Sequence, residues 1–520
     1  DWLIDTLDAD IDDAEMLQAL GQIGGDAAAI FAYVRNLSFE AYQGSLRGTR
    51  ATLWSAAGNS LDQSSLLIAM LRASGIPARY RHGGLSQSDA QTLIASMFPA
   101  PTSLLGAVGS GIPVSDPLND ADLIAEVQDH WWVEANIGGA WTNLDPSFAN
   151  AAIGQQFASS TASDGSDRIA ELTDAYRPKV TIKLNVESWS QLNFSAQTKV
   201  DTRLNHTFRM VEIAASPVTF SNLVAEQTQG GLVFSNKFFT YSPYLFFNDQ
   251  FVYGDPFQEI ITNFPLATTF ITGAWLVFEL RKIDGSVTIF ERTLADRLGY
   301  DIRTYGGSPN IALGADNDPV FDPFDVYSIS FFPGVVPNAA LDARRASLTA
   351  VLGELAADTE RIQELSALGP LSAQQQVEVN QIRARYQFNL GLFLESVSMS
   401  FAEVADRASK IAQDGFHVKA YHDDARLVIV SHEVISDTMQ LNVDLRTTLE
   451  RTIARPGQGE PATFGFNLFK GINESWLEGE VIGAAAGATV LTSARVMQSA
   501  SEQGIDFAFI SKDNLDLLAT

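Results

Sequence analysis

Apolar and polar residues change rhythm several times along this chain, and each change predicts a different element. Between Ser60 and Ala73, the residues Leu61, Ser64, Leu67, Ile68 and Leu71 fall at helical spacing. An amphipathic helix is predicted there, stopped by Gly75-Ile76-Pro77. A shorter helix over Asp26 to Val34 leads into Asn36-Leu37-Ser38-Phe39. Ala78 to Tyr80 begins a strand. Trp131 to Asn136 and Trp141 to Leu144 read as aromatic strands joined at Gly138-Gly139. The small, polar residues from Gly154 to Asp167 have the texture of a linker.

From Lys179 the period falls to two. Lys179 to Glu187 and Gln197 to Ala214 alternate apolar and polar residues, and Val233 to Tyr253 and Trp275 to Glu291 are rich in Phe, Tyr, Val and Ile. An antiparallel, sandwich-like β-region is expected as far as about Phe332. Helical period returns from Asn338 to Ala412. Leu341, Leu348, Leu352, Leu355, Ile362 and Leu365 form one stripe, Gly369-Pro370 breaks it, and Ser372 restarts it as a cap. Val379, Ile382, Tyr386 and Leu390 carry a second arm, so a helical hairpin is expected. Beyond Gly415, Leu427 to Val430 and Leu441 to Leu445 read as strands, and Phe464 to Trp476 and Ser493 to Gln503 as helices. The fold class expected is multidomain α+β, with boundaries at 1–170, 171–335, 336–413 and an α/β region over 414–520.

Composition narrows this picture. The 520 residues, 46% of them hydrophobic, suffice for several cores. No apolar run reaches the roughly 18 residues that would cross a bilayer, and the most apolar stretch, Val481 to Leu491, is short and rich in Ala and Gly. The formal charge of −28 opposes binding to nucleic acid or to anionic membranes, and its dispersal suits solubility. Absence of cysteine excludes disulfides and thiolate metal sites. The chain opens on Asp1 with no basic-then-apolar leader, which leaves two readings: a removed leader, or an excerpt of something longer.

Candidate chemistry gathers in three segments. The first is Gly58-Asn59-Ser60-Leu61-Asp62, which places Ser60 at a helix N-terminus, where the backbone favours negative charge and offers N–H groups to an oxyanion. The second is His130-Trp131-Trp132-Val133-Glu134, and the third is Trp141-Thr142-Asn143-Leu144-Asp145-Pro146. A histidine on one strand and an aspartate ending the next can lie side by side, as a catalytic triad requires. Singly, His130 could be a core histidine and Asp145 the start of a turn. Trp132 and Trp141 read as core, and Arg72 and Arg79 as partners of helix ends or carboxylates. Asp316, Asp318, Asp322 and Asp325 form an acidic loop with the oxygen density that calcium takes, although the plainer reading is a solvated loop. Asp8, Asp10, Asp12 and Asp13 read as a solvated terminus. His417, His422 and His432 lack a zinc-ligand spacing, and there is no phosphate loop or dinucleotide fingerprint.

The three segments, in this order, resemble the signature of the transglutaminase-like superfamily, a papain-like fold, over roughly residues 20 to 150. Tyr42-Gln43-Gly44-Ser45 and Arg47-Gly48 resemble the lead-in of bacterial members. The resemblance puts Ser60 at the nucleophile position, where the family's enzymes hold cysteine, His130 at the general base and Asp145 at the orienting acid. It implies acyl chemistry on protein side-chain amides without a cofactor, or an inactive scaffold. A serine hydroxyl has no anion accessible near neutral pH and must surrender its proton during attack. Ser60 therefore has three readings: a natural pseudoenzyme, a natural serine nucleophile, or a deliberate Cys→Ser replacement. The stretch Phe466 to Glu480 resembles large bacterial surface proteins that carry such a domain, so a secreted or surface location is expected. The leading expectation is an impaired module for binding or assembly with a protein partner. The alternatives are an acyltransferase or amidase acting on a protein substrate, and a self-assembling structural subunit.

Overall fold

The helix Ser60–Ala73 is the element around which the first part of the chain is built. Asn59 caps it, its side-chain oxygen accepting from Asp62 N–H at 2.8 Å. Every residue from Ser60 to Arg72 is buried, so the helix is central rather than the amphipathic one expected. Several of its polar side chains reach distant partners, while Ser64 Oγ is buried without one among the described residues. Gln63 donates to Ser38 O, Tyr80 Oη donates to Ser65 Oγ, and Arg72 donates to the carbonyls of Ile4, Ala78 and Ala170. Leu66, Leu67, Ile68 and Leu71 are wholly buried, and the helix packs on Ala27–Val34 and on the strands Ala78–Gly84 and Asp129–Ile137. Truncating one such leucine to alanine would cost about 2–5 kcal/mol. The computed structural model describes residues 2–98, 114–160, 162, 166–192, 195–230, 235–262, 267–306, 319–368, 371–435, 438–446, 450–487 and 489–505.

Asp62, in the first turn of this helix, is fully buried. Its carboxylate accepts from Tyr42 Oη at 2.8 Å and from the backbone N–H groups of Leu46, Arg47 and Gly48 at 3.0–3.2 Å. Asn59 Nδ2 donates to the carbonyls of Tyr42 and Gly44, so the Tyr42–Gly48 loop is held to the helix start at both ends. Arg47 leaves this loop in the other direction. It is buried and donates to Glu40 and to the carbonyls of Ala57, Pro333 and His422.

Four antiparallel strands lie beside the helix in the order Ala140–Leu144, Asp129–Ile137, Ala78–Gly84, Ser159–Ser160. Gly83 pairs with His130 across the ladder. A Cβ at Gly83 would sit 2.2 Å from Ser159 O, so only glycine admits the edge strand there. Within the described residues, the segment expected as a linker is exposed from Gly154 to Gln156, while Ser159 and Ser160 join the sheet and buried Asp167 pairs with Arg81. Of the acidic N-terminus expected to be solvated, Asp12 is exposed and Asp10 half-buried, but Asp8 and Asp13 are buried. Asp8 is fully buried and accepts from Arg177 at 2.5 Å, while Asp13 caps Ala14–Ile23 and accepts from Arg50 at 2.7 Å. Arginines remote in sequence neutralise both carboxylates, a pairing that local spacing does not reveal.

The β-rich region forms one antiparallel sheet whose main path runs Thr438–Arg446, Arg426–Ile435, Val326–Phe332, Pro217–Gly230, Ser235–Phe247, Phe257–Thr262, Ala267–Arg281, Lys179–Leu192, Ser195–Arg209. Val287–Asp296 pairs with Ala267–Arg281 as a hairpin. The two strands read from the tail's sequence thus extend this sheet. The helical hairpin spans Asn338–Ser366 and Ala373–Phe416, with Ser372 and Gln375 exchanging capping hydrogen bonds. Leu365, Val379 and Ile382 form its core, whereas Leu352 of the expected stripe is 49% exposed.

Two compact units emerge: Asp1–Met97, Asp120–Met399 and Tyr421–Glu450 form one, and Phe98–Asn119, Ser400–Ala420 and Arg451–Thr520 the other. In the second, Ala412, Val418, Ala420 and Phe466 share a small core, and Glu460–Ala486 packs on Ser493–Glu502. Among the described residues, no helix is long and apolar enough to cross a membrane.

Two outcomes follow for stability. Asp62→Ala strands several buried donors, and unfolding in urea should show a loss of about 3–5 kcal/mol; a loss below about 1 kcal/mol would refute its anchoring role. Glu395, whose carboxylate accepts from Arg344 at 2.9 Å, has its pKa raised from the usual 4.5 to about 7 by burial. The folded chain then holds a proton that the unfolded chain releases above about pH 4.5, so this group's contribution to stability falls as pH rises to about 7. Glu395→Gln should flatten that slope by about 1–3 kcal/mol; parallel pH profiles for the two proteins would contradict it.

Candidate active site

The three segments singled out in the sequence meet in the structure. Ser60 opens its helix, His130 lies near the start of the strand Asp129–Ile137, and Asp145 follows the strand Ala140–Leu144. All three are buried, His130 completely. His130 Nε2 lies 2.9 Å from Asp145 Oδ2. A carboxylate accepts, so in the neutral ring Nε2 is the donor and Nδ1 carries the lone pair. Asp145 is fixed in turn by Ser147 N–H, and the imidazole lies edge-on to Phe148, which stacks on Phe157 at 3.9 Å.

Ser60 Oγ accepts from Trp131 N–H at 3.2 Å. This bond brings Ser60 to the residue next to His130. Among the described residues, His130 Nδ1 is buried without a hydrogen-bond partner. The arrangement thus holds an oriented imidazole with an unused basic nitrogen, beside a hydroxyl whose oxygen is bound to a backbone amide.

Ser60 lines a small, partly open cavity of about 20 Å³, which His130 and Asp145 do not line. Asn59, Tyr42, Trp131, Tyr176 and Ile283 help line it. Burial pushes the Tyr42 hydroxyl well above its usual pKa, so it stays a donor to Asp62. Gly44 is close to the later wall: it adopts φ +79°, and a Cβ there would lie 2.8 Å from Tyr176 O and 3.0 Å from Ile283 Cγ2. Glu126 and Asp129 give the cavity an acidic side. His82 bonds to Asp129 at 2.6 Å and stacks on Trp131 at 4.3 Å.

The supporting residues behave as their types dictate. Arg79 pairs with Glu134 at 2.7 Å, and its guanidinium lies 3.8 Å from the Trp141 ring centroid. Trp132 is core, as expected, but Trp141 is 36% exposed because it covers Arg79. Of the acidic loop, Asp316 and Asp318 lie outside the described residues. Asp325 is buried and accepts from Val434 N–H and Asp322 N–H; Asp322 accepts from Phe324 N–H. Burial raises the Asp325 carboxyl to about 7.

Several site groups were not singled out from the sequence. Asn59 carries a signal, since asparagine before a helix start is a favoured cap. The Trp131 amide carries none, because any residue offers an N–H. Tyr176 and Ile283 come from segments with no local pattern tying them to Ser60.

The model of the transglutaminase-like superfamily matches residues 14–146, which hold all three segments. No curated protein matches the chain. Among solved structures, red sea bream transglutaminase is similar at 10% identity over 51% of this chain and 68% of its own, with a TM-score of 0.16, a likeness too slight to bear on the fold. The family match thus covers a transglutaminase-like segment, residues 14–146, of a mixed α+β chain, and the buried His130–Asp145 pair lies within it.

Proposed function

We propose that this chain carries a transglutaminase-like module whose acyl chemistry is impaired at Ser60 and which serves binding or assembly with a protein partner. The observation that carries the reading is the state of Ser60: its Oγ is held by Trp131 N–H, while His130 Nδ1 stays unpaired among the described residues. A thiolate in that position would gain from both the amide and an imidazolium. A neutral hydroxyl accepts the same amide bond without becoming a better nucleophile. The resemblance of Phe466 to Glu480 to bacterial surface proteins supports an exported or surface setting for such a module.

The intact His130–Asp145 pair favours a second reading, an acyltransferase or amidase acting on side-chain amides. In that reading, His130 Nδ1 takes the Ser60 proton as Oγ attacks the amide carbonyl. The imidazolium, steadied by Asp145, returns the proton to the departing ammonia, and an amine or water then cleaves the ester. With cysteine at residue 60 the same steps run through a thioester.

Ammonia release and amine incorporation into a glutamine-rich protein separate these readings. The impaired-module reading expects no turnover by the Ser60 chain. It expects turnover by Ser60→Cys, lost by at least about 100-fold when His130→Ala is added. Turnover by the Ser60 chain that vanishes in Ser60→Ala would establish a serine enzyme and overturn the leading reading.

A further inference from the structure

A second cleft lies in the same compact unit as Ser60 and shares no lining residue with the Ser60 cavity. Its volume is about 220 Å³. An apolar cavity of roughly 150 Å³ holds benzene, so this cleft takes on the order of ten non-hydrogen atoms. Small side chains make the space. Ala340, Ala343 and Ser347 fall on one face of the helix Asn338–Ser366, and Ala215 adds a fourth. Ala215, Ala340 and Met399 are buried and give the cleft an apolar lining. Ala215 takes φ +56°, and its N–H donates to Phe331 O at 3.1 Å.

Two arginines and a tryptophan line the rest. Trp54 packs on the small core of Ala51, Ala214 and Ala215, and its Nε1 donates to Glu15 Oε2 at 2.5 Å. The ring is therefore fixed by packing and by one hydrogen bond. Arg50 Nε pairs with buried Asp13 at 2.7 Å, and Arg50 Nη1 donates to Ser216 Oγ at 3.0 Å. Arg344 Nη2 pairs with buried Glu395 at 2.9 Å. Both guanidinium groups lie close enough to Glu395 to favour its charged form. Each arginine is thus positioned by a buried carboxylate without being used up. Arg50 Nη2 and Arg344 Nη1 keep N–H groups without an acceptor among the described residues. Guanidinium groups held in place with N–H groups to spare are donors for a carboxylate.

We propose that this cleft binds a small carboxylate ligand with an apolar body, its carboxylate on Arg50 and Arg344 and its body against Trp54, Ala215, Ala340 and Met399. The site is independent of the chemistry at Ser60. Its ligand would touch the family-matched segment through Arg50 and Trp54 and the helical hairpin through Arg344 and Met399. Binding to the folded chain alone would stabilise it.

The test is ligand-observed saturation-transfer NMR on the full chain, with benzoate as the probe and benzamide as its uncharged counterpart of like size. Benzoate should bind with a dissociation constant on the order of 1 mM, and benzamide at least roughly ten-fold more weakly. Saturating benzoate should also raise the urea midpoint. Ala343→Leu fills the cleft from an exposed helix position where leucine costs the fold little, and it should weaken benzoate at least roughly ten-fold. Arg344→Met combined with Glu395→Gln removes the cation together with its buried partner, so no charge is stranded, and should bring benzoate to the level of benzamide. Ala343→Leu keeps the test decisive should that double variant fail to fold. Ser60→Ala should bind benzoate as the parent chain does; loss of binding in it would move the site to the Ser60 cavity and overturn the proposal. The proposal is equally overturned by no benzoate binding at about 20 mM, by equal binding of benzoate and benzamide, or by binding that Ala343→Leu leaves unmoved.

Discussion

A buried carboxylate, Asp62, ties the helix that presents Ser60 to the loop that walls its cavity. A helix N-terminus favours negative charge, and a tight loop exposes N–H groups that need an acceptor once buried. One aspartate answers both demands, collecting Tyr42 Oη and the amides of Leu46, Arg47 and Gly48. The loop it secures sends Arg47 outward to the carbonyls of Ala57, Pro333 and His422. The position of Ser60 is therefore coupled through two buried side chains to residues far along the chain. Burial raises the pKa of Asp62 in spite of its many donors, a sign of how completely it is withdrawn from water.

This coupling explains which features the sequence discloses. The helix Ser60–Ala73 is legible because its period is strong and Gly75-Ile76-Pro77 ends it. Its burial on every side is not, because Gln63, Ser65 and Arg72 look like solvent-facing residues until their distant partners are known. Asp8 misleads for the same reason, as its partner is Arg177. The strands Arg426–Ile435 and Thr438–Arg446 are legible as strands, but their membership of the large sheet depends on pairing with Val326–Phe332. At the site, Ser60, His130 and Asp145 stand out because each lies in a compact local motif. Tyr176 and Ile283 do not, since nothing near them in sequence hints at the cavity.

Ser60 Oγ meets a backbone amide donor, and His130, one residue before that amide, is paired with a carboxylate. A backbone N–H at the nucleophile and an imidazole oriented by a carboxylate would stabilise a thiolate and its conjugate acid as a pair. With serine at residue 60 the amide instead binds a neutral oxygen, and the histidine's free nitrogen has nothing within hydrogen-bond reach among the described residues. The geometry that assists one chemistry restrains the other.

Closure and electrostatics reinforce one another at this position. Excluding water lowers the local dielectric, which strengthens the His130–Asp145 interaction and the amide bond to Ser60. His130 lies behind the residues that line the Ser60 cavity, and its Nδ1 is buried without a partner among the described residues. Ile283, in the turn after the strand Ala267–Arg281, lines the same small cavity as Ser60. The region outside the family-matched segment thus bears on Ser60 through sterics, while Asp62 bears on it through hydrogen bonds. Both constraints bear on the same residue, one through packing at its cavity and one through the cap of its helix.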